Sequence, residues 1–211
     1  MTLPKRDTRN KGVTRSMVAA AAAALLADGG LERLSMRRVA VHLGVTPMAL
    51  YNHVQSKDDL LAVLADHLRG SISVDEALPP RDQLVSLLLQ LRDLGSQHPA
   101  LLEPTSEPAP SRHAAALALL QLRLLDELGL APHQVRVAYQ GLVLVVAGSA
   151  VVWRARAHSP GTTEHLKNLI RDEAGEQDRA RLAALDALPE QTADEVFVMA
   201  VDQVLRAAAV V

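Results

Sequence analysis

Residues 34–61 read LSMRRVAVHLGVTPMALYNHVQSKDDLL. Two helix-start signals stand ten residues apart in this stretch, Thr46-Pro47 and Ser56. A cap hydroxyl accepts from the free amides of a first helical turn, and proline at the first helical position has no amide to satisfy. The stretch therefore predicts a helix over Met36–Leu43 capped by Ser35, a stop at Gly44, and a very short helix at 47–53 capped by Thr46. A further helix, 56–69, starts at Ser56, with Asp59 three residues on and Asp58 beside it at the positive helix end. Val39, Ala40, Leu43, Val45, Leu50 and Val54 form an apolar set able to pack the two short helices across Gly44. That is a helix-turn-helix. Its second helix then turns Pro47, Met48, Tyr51, Asn52 and His53 outward, with Thr46 at the tip.

The chemistry of that outward face suits DNA. A helix N-terminus and the Thr46 hydroxyl can donate to phosphate. Tyr51 and His53 can hydrogen-bond phosphate oxygens, and Lys57 adds charge. Pro47 and Met48 can touch a thymine methyl, while Asn52 and Arg37 can reach base edges. Thr14, the cap of the preceding alanine-rich helix, joins the expected DNA-contact set.

In these residues 34–61 resembles the DNA-binding motif of the tetracycline repressor (TetR) family. The resemblance rests on Gly44, Val45, Leu50, Tyr51, His53, Val54, Gln55-Ser56, Lys57 and Leu60-Leu61, and it covers the first 65 or so residues in detail. It implies a homodimeric regulator, usually a repressor, released from operator DNA by a small molecule. It also implies that Arg37 reads a base and that Thr46, Tyr51, His53 and Lys57 hold phosphates. Asn52 and Met48 stand where family members vary, so the operator sequence does not carry over.

Charge agrees with a DNA-binding front. Of the 211 residues, 1–57 hold nine Lys/Arg against three acids, a net of +6, and the remainder holds thirteen against twenty-one, a net of −8. A basic front on an acidic body directs only the front at a polyanion. The chain has no cysteine, which excludes thiolate metal sites and Cys nucleophiles and suits a reducing cytoplasm. Two apolar runs, 17–27 behind the basic leader and 141–153, are short for a membrane span of about 20 residues. Both are expected to be ordinary helix, and no membrane partner is expected.

The pattern is helical throughout, so the fold class is all-α. A basic arm (1–13) precedes the helix-turn-helix domain with its connecting helix (14–69), and a ligand-binding and dimerisation bundle follows (70–211). In that bundle 103–110 reads as a proline-rich break. Gly141 and Gly148, seven residues apart in a long apolar helix, suggest close helix approach. With Val152 and with Phe197, Val201 and Val204 of the last helix, they form the expected dimer interface. An apolar ligand cavity is expected among Leu91, His98, Leu119, Leu122, Tyr139, Gln140 and Val143. A ligand there that prefers one tilt of the 56–69 helix would weaken DNA binding. Rival readings are a ligand-independent regulator and a helical-bundle enzyme. The chain carries no G-x-S-x-G, H-E-x-x-H, P-loop or di-iron Glu-x-x-His pattern, so an enzyme is not expected. His98 with His113, Glu103 or Glu107 matches no compact metal spacing, so neither metal nor cofactor is expected.

Overall fold

A computed structural model describes residues 12–98, 111–158 and 160–211. The arm residues and the proline-rich break of the sequence reading lie outside them, but for residues 12 and 13. Among the described residues every regular element is helical. They are α1 (Arg15–Gly29), α2 (Met36–Leu43), α3 (Pro47–Tyr51), α4 (Lys57–Arg69), α5 (Pro80–Gln97), α6 (Arg112–Glu127), α7 (Pro132–His158), α8 (Pro160–Glu173), α9 (Glu176–Asp186) and α10 (Ala193–Ala209), with a 3-10 turn at Leu31–Arg33.

These elements form two compact units. One holds the described residues up to Ile72 together with the start of α6 as far as Leu117; the other holds the rest. In the first unit α1 packs on α2 and α4, and α2 packs on α3. Alanine is the best helix former, and Ala19, Ala21 and Ala22 on α1 bury small side chains that let neighbouring helices approach. Val18, Val39, Leu50, Val54, Leu60 and Leu64 are fully buried. Each such side chain contributes about 1.5–3 kcal/mol relative to exposure.

The core of the second unit joins Leu84 and Leu88 of α5, Leu124 and Leu125 of α6, Ala138 and Leu142 of α7, and Phe197, Val201 and Ala208 of α10. Polar side chains fix the same helices. Arg81 of α5 makes two hydrogen bonds to Asp202 of α10, at 3.0 and 2.8 Å. The buried Arg92 reaches Asp194 at 2.7 Å and lies over the Phe197 ring. Thr192 and Glu195 form the expected capping box at the start of α10.

The apolar length of α7 exceeds the 13-residue run read from the sequence. Its residues Pro132–Arg156 are long and apolar enough to cross a membrane by composition. In the structure Ala138, Leu142 and Ala150 of this helix are buried, the first two in the core just described. The 17–27 run lies within α1, with Val18 and Ala22 wholly covered.

Candidate nucleic-acid interface

Local sequence accounts for the turn between α2 and α3. Ser35 accepts from the Arg38 amide at the start of α2. At its end Gly44 adopts φ 69°, ψ 29°, a left-handed conformation open to glycine at no steric cost. The Gly44 amide then donates to Val41 O and the Val45 amide to Ala40 O, at 3.1 and 2.9 Å, the paired bonds of a Schellman stop. Thr46 accepts from the Ala49 amide at 3.2 Å. Its hydroxyl hydrogen is not used by that bond. Helix α3 runs only from Pro47 to Tyr51, two residues shorter than expected, and Asn52 and His53 continue as a turn.

One face of α3 is anchored and the other is open. Leu50 and the following Val54 are wholly buried, while Met48 is 78% and Tyr51 48% exposed. Thr46, Pro47, Asn52 and Lys57 are exposed, His53 is half-buried, and Arg37 is exposed on α2. Thr14 is exposed and accepts from the Met17 amide as the cap of α1. The structure thus brings the expected α2–α3 set onto one short, outward-presenting motif. A face of this kind offers hydroxyls, an amide and cations to phosphates and base edges.

Sequence reasoning missed a cluster behind that face. Arg15 of α1 donates through Nη1 to the His53 carbonyl at 3.0 Å and through Nη2 to the Asp59 carboxylate. The other Asp59 oxygen accepts from the Gln55 amide at 2.9 Å. Ser56 accepts from the Asp59 amide as expected, but the Asp59 side chain turns to Gln55 and Arg15 rather than to its own cap residue. The only trace in the sequence was Asp59 itself; its partner lies 44 residues away.

The residues expected to line a cavity are not brought together. Leu119 (67% exposed), Leu122, Gln140 and Val143 face outward on this chain, because α6 and α7 turn other apolar positions inward. Leu91, His98 and Tyr139 are half-buried, and burial pushes the His98 imidazole below its ordinary pKa of 6.5. A recess of about 1140 Å³ in the second unit is lined instead by residues including Lys167, Arg171, Leu185, Leu188 and Met199. The expected dimer set also divides. Phe197 and Val201 are buried in their own chain's core, since the apolar stripe of α10 packs first on α5 and α7, and Val204 lies against Gly141. Gly148 and Val152 remain exposed, with nothing near a Cβ built on Gly148.

Among the described residues no group of three or more His, Cys, Asp or Glu is placed to hold a metal.

Comparison with known proteins bears on the same face. Residues 18–64, which contain α2, the turn and α3, match the bacterial regulatory proteins of the tetR family. An HTH-type transcriptional regulator of Saccharopolyspora erythraea is 29% identical over 187 residues, 85% of this chain and 78% of that protein. The crystal structure of apo ActR from Streptomyces coelicolor superposes with a TM-score of 0.74 at 20% identity, covering 94% of this chain and 95% of that one. ActR in complex with actinorhodin gives 0.74 at 21% identity, covering 94% and 96%. At such identities these two structures speak for the fold. The motif geometry and the match to residues 18–64 go further: this front of the chain is a helix-turn-helix similar to that of the tetR family of bacterial regulatory proteins.

Proposed function

We propose that this protein is a homodimeric repressor that leaves its operator when a small apolar ligand occupies the helical bundle of its second unit. The observation that carries the DNA-reading half is α3. Leu50 is fully buried beneath it, while Met48, Tyr51 and Asn52 stand open above. In this reading Thr14, Thr46, Tyr51, His53 and Lys57 hold phosphates and fix register. Arg37, Pro47, Met48 and Asn52 meet base edges. The ligand half is supported by the binding of actinorhodin to ActR, a protein of the same fold, and by the half-buried Leu91, His98 and Tyr139 of this chain. Coupling between ligand and DNA of about 1–3 kcal/mol would weaken operator binding some 5- to 150-fold.

Dimerisation is supported by apolar side chains that the chain leaves uncovered. Val137, Leu144, Val151 and Val152 on α7 and Val196 and Met199 on α10 are all exposed. The open side of Gly148 lies on the same helix and suits close approach of a partner helix. A two-fold dimer reads two related half-sites about one helical turn apart or a multiple of it. Selection of bound duplexes from a random pool, followed by footprinting at the protein's own promoter, tests the reading. A partly palindromic site is expected. A single unrepeated half-site would argue against the dimer, and no enrichment would overturn the DNA-reading assignment.

A further inference from the structure

We propose that Arg15 is a positioning residue for DNA reading: it does not hold DNA but sets, through Asp59 and the His53 carbonyl, the angle at which α3 is presented. The proposal rests on the use of α3 as the reading helix. With five residues, α3 has few internal hydrogen bonds, too few to fix its own direction. Its N-terminal end is secured by Thr46 and by the Schellman stop before it. Its C-terminal end runs into a connector, through Asn52 and the half-buried His53 to the wholly buried Val54, and Gln55 and Ser56 beyond it are exposed.

Arg15 secures that second end. The guanidinium fork meets the His53 carbonyl with one nitrogen and the Asp59 carboxylate with the other. Asp59 in turn holds the Gln55 amide. One cation from α1, one carboxylate from the first turn of α4 and two backbone groups of the connector therefore close a single network. A planar fork fixes direction as well as distance, which a lysine point charge does not. Recognition geometry tolerates only about 0.5 Å and 10–20° of misplacement. Loss of the clamp should thus blunt base reading while leaving the charge presented by Arg37, Arg38 and Lys57 intact. Arg15 has its Nη1 and Nη2 engaged within the protein, and the clamp rather than a phosphate contact is the role assigned to this half-exposed side chain.

The test uses the full-length chain and a duplex selected from a random pool by the wild-type protein, beside an unrelated duplex of equal length. Variants R15A, R15K, D59N and R15A/D59N are compared at several salt concentrations, with thermal melts to confirm that each is folded at the assay temperature. R15A and D59N are expected to bind the selected duplex about ten-fold more weakly, roughly the discrimination of one base pair. Their affinity for the unrelated duplex and their salt slope should stay at wild-type values. R15K should recover part of the loss, and the double variant should be no weaker than either single one. A salt slope lowered by about one in R15A would make Arg15 a phosphate contact and overturn the proposal. So would wild-type discrimination in R15A, or a loss matched by the unfolded fraction. Failure of the wild-type chain to select any duplex would remove the reading-helix assignment itself, an outcome distinct from the others.

Discussion

Gly44 and the side chains of α3 serve different ends within ten residues. At φ 69° the backbone of Gly44 carries a conformation that costs an L-residue about 1–2 kcal/mol. No neighbouring atom crowds a Cβ there, so strain alone opposes substitution. Gly44→Ala is therefore expected to lower stability by about 1 kcal/mol, read as an earlier denaturant midpoint with an unchanged slope. The exposed residues predict binding effects instead. Tyr51→Ala and Lys57→Ala should weaken binding to all duplexes; for Lys57→Ala the salt slope should also fall by about one. Asn52→Ala or Arg37→Ala should change which sequences are preferred, costing about 1–3 kcal/mol at one position of the site. Unaltered sequence preference in both would shift base reading to Pro47 and Met48.

Helices α4 and α6 meet at a carboxylate. Asp66 of α4 accepts from the Ser111 hydroxyl and, at 3.0 Å each, from the amide and Nδ1 of His113 at the first turn of α6. Burial acts to raise this carboxyl, but the hydrogen bonds from Ser111 and His113 outweigh it and hold its pKa below the ordinary 3.8. A depressed acid contributes stability that is present above its unfolded value and lost as pH falls through its folded one. Acid unfolding of the wild-type chain should accordingly steepen below pH 3.8, and Asp66→Asn should flatten that limb. An identical acid limb in the variant would show that Asp66 does not govern it. Such links were not legible in the sequence, since they join residues 45 and 47 positions apart. The helices themselves were: Ser35, Thr46, Ser56 and Thr192 each cap where a local pattern places them. The inward side of α6 was not, because leucines at 117, 119, 120, 122, 124 and 125 surround the helix and leave no single apolar stripe. The structure buries Leu124 and Leu125 and leaves Leu119 in solvent. In α10 the stripe was read correctly, but Phe197 and Val201 fill their own core before any partner can claim them.

The chain as a whole combines a basic front with an acidic body, +6 against −8. DNA affinity should therefore reside in the front alone, and two fronts should bind far better than one. On α7, Val137, Leu144 and Val151 recur at seven-residue intervals and all stand exposed, Leu144 at 73%. Helices with apolar residues at that interval pack along one seam in a second helix. Leu144 takes no part in the intrachain core, which draws on Ala138 and Leu142 of the same helix. Leu144→Asp is thus expected to keep the helical content of the wild type while placing a charge in the proposed dimer seam. Analytical ultracentrifugation at micromolar concentration should show a wild-type dimer and a variant monomer. The melting point of the wild type should rise with concentration and that of the variant should not. Separating the heads also removes the effective-concentration advantage of the second one, a loss of about 10²–10⁴ in affinity for a two-half-site duplex. Binding to an isolated half-site should be the same in both proteins. A variant that still sediments as a dimer would move the interface off this α7 seam, and a wild-type monomer would end the dimer reading altogether.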